Sequence, residues 1–141
     1  MNRIEWVDSL YSIGVDRIDE QHKRLLDMIN GLHDSIQSGM SNRELGAFLT
    51  SLVDYIRTHF ADEEKLMIDI HYVRFKQHKA LHSEMNRKVA YILMKLRNDE
   101  VVSPREILSF LISWWTEHIA GEDKLIGPAV ASAEKVEQTV G

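Results

Sequence analysis

His78 and His82 stand four residues apart. On an α-helix of 3.6 residues per turn that spacing stacks two imidazoles on one face, one turn apart, where they can grip one metal ion. The pair alone says little, because neighbouring histidines are often simply solvated. The chain repeats the chemistry, however: His59 precedes Glu63 by four residues, His118 precedes Asp123 by five, and His22 stands early in the sequence. These seven side chains, His22, His59, Glu63, His78, His82, His118 and Asp123, are the candidate metal ligands. Asp62 lies near the face of His59 and Glu63, whereas Glu64 is expected to point away. His71 falls in a turn and His33 lies three turns from His22, so neither is assigned to the site. Regular geometry objects at one place, since five steps of about 100° leave Asp123 about 140° off the face of His118. Either a distortion permitted by Gly121 or a π-type turn would bring it round.

Helices must position these groups, and the apolar spacing supplies them. From Asp19, the expected N-cap, Leu25, Leu26, Ile29, Leu32 and Ile36 follow helical spacing until Ser38-Gly39. Ser41-Asn42-Arg43-Glu44 reads as a capping box, and Leu45, Phe48, Leu49, Leu52, Ile56 and Phe60 carry a second helix to about Met67. After a turn at Asp69 to Tyr72, the third stripe is Phe75, His78, His82, Met85, Val89, Ile92 and Leu96. Asn98 to Val102 connect to Ser103-Pro104-Arg105-Glu106, a second capping box with proline at the first helical position. The fourth stripe is Ile107, Leu111, Trp114 and His118, with Gly127-Pro128 expected to end it. The organisation expected is an arm over residues 1–18 packed across the helices, a bundle over 19–128, and a short, polar, frayed tail over 129–141.

Four helices with short connections and no strand pattern imply an all-α fold, an antiparallel up-down-up-down four-helix bundle with an N-terminal arm. In that topology the starts of helices one and three and the ends of two and four meet at one end. The five histidines occupy those positions, so their imidazoles converge at one depth. Burying them with two carboxylates in an apolar bundle would be costly without a cation. Seven ligands exceed the six positions of an octahedral ion, so two metals are implied. Two six-coordinate ions that share both carboxylates and an oxo or hydroxo bridge keep a single open position, suited to a small ligand such as O2. A nitrogen-rich, redox-capable pair points to iron. So few anionic ligands favour the ferrous state, which lets O2 binding be reversible. The Glu-x-x-His signature of carboxylate-rich di-iron bundles does not occur at matching positions.

Bulk properties narrow the field. A chain of 141 residues, 44% hydrophobic and 28% charged, suits one soluble domain. With 17 Lys and Arg against 22 Asp and Glu, and no basic run interleaved with aromatics, nucleic acid is excluded as a partner. The longest apolar run, Ile107 to Trp115, is too short and too interrupted for membrane insertion. The first residues, Glu5 and Asp8 among them, do not read as a charged-then-apolar secretory signal, and a cytoplasmic location is expected. A monomeric protein is expected as well. The absence of cysteine rules out thiolate zinc sites, iron–sulfur clusters and cysteine nucleophiles.

A histidine followed by H-x-x-x-E, H-x-x-x-H and H-x-x-x-x-D, in that order, is matched by His22, His59 with Glu63, His78 with His82, and His118 with Asp123. From Trp6 to about Pro128 the chain thereby resembles the hemerythrin family, specifically its single-domain bacteriohemerythrins. The resemblance implies two Fe ions per chain in an oxo- or hydroxo-bridged di-iron centre that binds O2 reversibly, and a protein that is not an enzyme. It implies that His78, His82 and His118 hold one iron, His22 and His59 the other, and that Glu63 and Asp123 bridge them. The open position would be on the iron of His22 and His59, with Leu26, Phe60 and Trp114 as candidates for a dry pocket around it. The leading function is O2 storage, delivery or buffering, with an O2-consuming enzyme or a redox partner as recipient. An oxygen or redox sensor is the alternative, but no signalling module accompanies the domain. A di-iron oxidase or peroxidase would want a general acid or base beside the site, and none is conspicuous.

Overall fold

The helices begin and end where capping chemistry and apolar spacing allow, with two exceptions that bear on function. The structure, a computed structural model, describes residues 3–140 and side chains as far as Val136. Met1, Asn2 and Gly141, the extremes of the expected arm and tail, lie outside the described residues. The elements are α1 (Asp8–Tyr11), α2 (Asp16–Gln37), α3 (Asn42–Asp69), α4 (Phe75–Arg97) and α5 (Pro104–Trp114). A π segment (Trp115–Glu122), a 3₁₀ turn (Asp123–Leu125) and α6 (Ile126–Val140) follow. This is the expected all-α bundle: α2 packs against α3 and α5, and α3 runs along α4. No strand occurs among the described residues, and none of their helices is long and apolar enough to cross a membrane.

The inward stripes meet as read from the sequence. Leu25, Ile29 and Leu32 of α2, Leu49, Leu52 and Ile56 of α3, Met85 and Val89 of α4, and Leu111 of α5 form one buried cluster. Each fully buried aliphatic side chain of this kind contributes roughly 1.5–3 kcal/mol. At the start of α3 the capping box is complete, with Glu44 N donating to Ser41 Oγ at 3.1 Å and Ser41 N donating to Glu44 Oε1 at 3.4 Å. The chain reverses between α3 and α4 at His71, in the left-handed region with φ of 53°.

The first exception is the arm. Asp19 is not an N-cap, because α2 begins three residues earlier at Asp16, capped by Val15 without any side-chain bond. Asp19 instead serves the preceding chain: Ser12 Oγ donates to its Oδ2 at 2.6 Å and Ile13 N to its Oδ1 at 2.9 Å. Further out, Asn30 clamps the backbone of Ile4, accepting from its N–H at 2.9 Å and donating to its carbonyl at 2.8 Å.

The second exception is the C-terminal segment. Gly127-Pro128 does not stop the helix, and the expected frayed tail is helical through Val140. The 3₁₀ turn restarts the helix at Ile126, so Pro128 falls in a first turn, where a missing N–H costs nothing. Gly127 is there for space: a Cβ would lie 3.3 Å from the carbonyl oxygen of Ile13. Around that contact Ile13, Ile18, Met67, Tyr72, Ile126 and Val130 form a second small core, closing the end of the bundle that holds the histidines.

Candidate metal centre

All seven residues singled out from the sequence come together, and all seven are buried. His22 lies in the second turn of α2, His59 and Glu63 near the end of α3, His78 and His82 within the first three turns of α4, and His118 in the π segment. Asp123 joins them because the turn is π-type: its N–H bonds to the His118 carbonyl, five residues back rather than four. Its Oδ1 thus comes within 3.1 Å of His118 Nε2. The glycine alternative is not needed, since Gly121 has no positive φ and a Cβ there would meet only Thr116 O at 4.0 Å.

The two carboxylates divide the imidazoles into two sets. Glu63 turns Oε1 towards His78 (2.7 Å) and His82 (3.0 Å), and Oε2 towards His22 (3.2 Å) and His59 (3.3 Å). Asp123 does the same, with Oδ1 facing His78 (2.8 Å) and His118 and Oδ2 facing His22 (3.0 Å). Every histidine presents Nε2. The donor atoms fall into two groups sharing Glu63 and Asp123, one with His78, His82 and His118 and one with His22 and His59, each spanning no more than 4.8 Å.

Two observations show that cations fit. His59 Nε2, His118 Nε2 and both Asp123 oxygens are buried without a well-formed hydrogen bond, although opposite groups stand close by. Leaving such atoms unsatisfied costs about 1–3 kcal/mol each. Donors about 2.0–2.2 Å from an ion lie about 3 Å from their cis neighbours, which is the spacing found here. The donor chemistry, imidazole with carboxylate, suits iron.

Charge in the cluster tells the same story. Burial alone would lower the pKa of His22, but its hydrogen bonds and charge contacts with Asp123 and Glu63 raise it to about 10. The same contest raises His78 to about 9. His59 faces a single carboxylate, and there burial wins and lowers it. Burial would raise Glu63, yet the close polar contacts of four histidines hold it well below the ordinary range. Asp123 is lowered too, against burial and the repulsion of Glu63, by His118 and His22. Two carboxylates that stay ionised when fully buried are a site for positive charge.

Several surrounding residues depart from the sequence reading. Glu64 does not point away: it accepts from His82 Nδ1 at 2.9 Å. Gln21, which no spacing in the sequence marks, accepts from His59 Nδ1 at 2.8 Å and donates to Asp62 Oδ2 at 2.7 Å. Phe60 stacks on His82, with ring centroids 3.8 Å apart, and Trp114 stacks on His118 at 5.1 Å. Trp114 therefore packs against the three-histidine group, whereas Phe60 lies between the two groups, its ring also 5.8 Å from that of His59. The aromatic beside His22 is Trp115, edge-on at 6.4 Å and itself covered by Tyr11 of the arm. Trp115, four residues after buried Leu111, continues the inward face of α5, and half-buried Trp114 lies at its flank. His33 and His71 are outside the cluster, His33 facing Asp34 at 3.2 Å.

Comparison with known proteins agrees with this geometry. Residues 13–130 match the family model described as Hemerythrin HHE cation binding domain. The chain belongs to the hemerythrin family. This hemerythrin chain is 36% identical over 124 residues to a bacteriohemerythrin of Stenotrophomonas maltophilia, covering 88% of this chain and 79% of that protein. It is 33% identical over 132 residues to a bacteriohemerythrin of Methylococcus capsulatus, covering 94% of this chain and the whole of that one. It is also similar to a crystal structure of wild-type hemerythrin, with a TM-score of 0.83 and 33% identity over 91% of this chain and 98% of that one. As a member of the family, the chain is a non-haem iron-binding, O2-binding domain.

Proposed function

We propose that this hemerythrin chain binds O2 reversibly at a di-iron centre and serves in O2 storage, delivery or buffering. One observation carries the reading: each of two fully buried carboxylates offers one oxygen to a group of three histidines and the other to a group of two. That division is what two ions held side by side require. His78, His82 and His118 would hold one iron and His22 and His59 the other, with Glu63 and Asp123 spanning both. Bound iron supplies the one-electron redox chemistry on which reversible O2 binding depends. The protein supplies the rest. Glu63 and Asp123 set the separation of the two groups. Phe60 and Trp114 hold the planes of His82 and His118 by stacking. Trp115, only 1% exposed, and Tyr11 keep water from His22. Two ligands on one side against three on the other favour the smaller group as the place where O2 enters.

The test combines iron content with optical spectra through a cycle of anaerobic reduction, admission of air and removal of O2. The expected result is about two irons per chain and a visible charge-transfer band that comes and goes with O2. A band that forms once and decays to a ferric state that never releases O2 would favour sensing or oxidase chemistry instead. His59→Ala should abolish O2 binding with the helices intact, and a variant that still binds O2 fully would refute the assignment.

A further inference from the structure

The two histidine groups differ in what stands behind them. His82 Nδ1–H donates to the carboxylate of Glu64, whose side chain is 21% exposed, so that its charge is only partly screened by water. His59 Nδ1–H donates instead to the amide oxygen of Gln21. A carboxylate does stand one step further back, since Gln21 Nε2 donates to Asp62, but the Arg17 guanidinium meets that same oxygen at 2.9 Å and offsets its charge. The chain His59, Gln21, Asp62, Arg17 is neutral overall, whereas the pair His82 and Glu64 is anionic. His22, the other member of the smaller group, has no acceptor at its buried Nδ1 among the described residues. The Gln21 backbone is itself fixed, because Tyr55 Oη donates to its carbonyl at 2.9 Å.

An acceptor behind a metal-bound imidazole orients the ring and raises its basicity, and an anionic acceptor does so more strongly than a neutral one. We infer that Glu64 and Gln21 are positioning residues that make the two metal positions unequal. Glu64 lowers the reduction potential of the ion held by His78, His82 and His118, and neutral Gln21 keeps the ion of His22 and His59 more readily ferrous. The consequence is an order. On oxidation of the diferrous protein the three-histidine ion gives up its electron first, and the ion beside the open position stays ferrous longer. This inference rests on the di-iron reading above.

Potentiometric titration of the iron-loaded protein with ferricyanide tests it. Each ferrous ion loses one electron and each electron reduces one ferricyanide to ferrocyanide. The wild-type protein should show two separate one-electron steps. Glu64→Gln keeps an acceptor for His82 but removes the charge, and should raise the lower step by about 59 mV, the equivalent of tenfold in relative affinity for ferric over ferrous ion. Glu64→Asp, which restores the charge, should move it less. Gln21→Glu combined with Asp62→Asn, which keeps a hydrogen bond between the two positions by reversing its direction, should lower the upper step by a similar amount. Steps that none of these variants moves, or equal shifts with Gln and Asp at position 64, would overturn the inference and leave the di-iron reading standing. Fewer than two irons in the wild-type protein would overturn both. If Glu64→Gln fails to retain iron, titration of the metal-free variant with Co2+ decides the matter. Weakening of one binding step by about 10–100-fold supports an unequal role, and equal weakening of both overturns it.

Discussion

Asp123 N–H bonds to the carbonyl of His118, and that single i to i+5 bond places both side chains on one face of a helix. His118 Nε2 and Asp123 Oδ1 stand 3.1 Å apart in a buried site. Trp115, at the start of the π segment, lies edge-on to His22 with ring centroids 6.4 Å apart.

Glycine at 121 is not what permits this turn, and substitution should say so. Gly121→Ala is expected to keep iron content and helical circular dichroism unchanged. Gly127→Ala should behave differently: the new Cβ lies 3.3 Å from the backbone of Ile13, which Asp19 anchors. Even after the helix-propensity gain, a loss of about 1 kcal/mol is expected, read as a melting temperature lower by several degrees. A melting temperature unchanged in Gly127→Ala would show that the arm yields freely.

Asp19 holds the arm to the bundle through two hydrogen bonds, one of them from the buried N–H of Ile13. Asp19→Ala would leave that N–H unsatisfied, with an expected loss of about 1–3 kcal/mol in urea unfolding. Asp19 is not among the residues of the cluster, so iron content should be unaffected.

Glu63 faces four of the five clustered histidines and belongs to both groups. Glu63→Gln should therefore reduce iron content from about two per chain to one or fewer, while circular dichroism stays helical. Retention of both irons by this variant would remove the bridging role assigned to Glu63.

The metal-free protein should have a stability maximum near pH 6.5. His22 and His78 have folded pKa values of about 10 and about 9 against ordinary values of 6.5, so their contribution is complete below 6.5 and is lost as pH rises through 9 to 10. His59 is lowered, so stability also falls as pH drops below 6.5 and the unfolded chain takes up its proton. Below about pH 4 the loss steepens as Glu63 and Asp123, both depressed in the fold, are protonated on unfolding. Urea midpoints across pH 3 to 10 would trace this profile. Because cations must displace the protons on His22 and His78, metal uptake at neutral pH should acidify an unbuffered solution. Uptake without proton release would contradict the charge balance of the cluster.

Much of this protein is legible in its sequence. Spacing of three and four along Leu25 to Leu32, Leu45 to Phe60 and His78 to Val89 determines four helices, because a helix with one apolar stripe is stable only with that stripe buried. Short connections then oblige the helices to alternate in direction, which alone brings His22, His59, His78, His82 and His118 to one end. Chemistry in the sequence likewise points to a cation, since burying carboxylates and imidazoles in that number is costly without one. Tertiary structure decided what depends on phase and on neighbours distant in the chain. The π turn settled how Asp123 arrives, since one wider turn shifts every later residue around the axis. A new first turn at Ile126 made Pro128 harmless, and the contact with Ile13, more than a hundred residues away, accounts for Gly127. Gln21 and Glu64 found their histidines only when α2 met α3 and α3 met α4. A side chain that acts from behind a ligand on another helix leaves no periodic trace in its own.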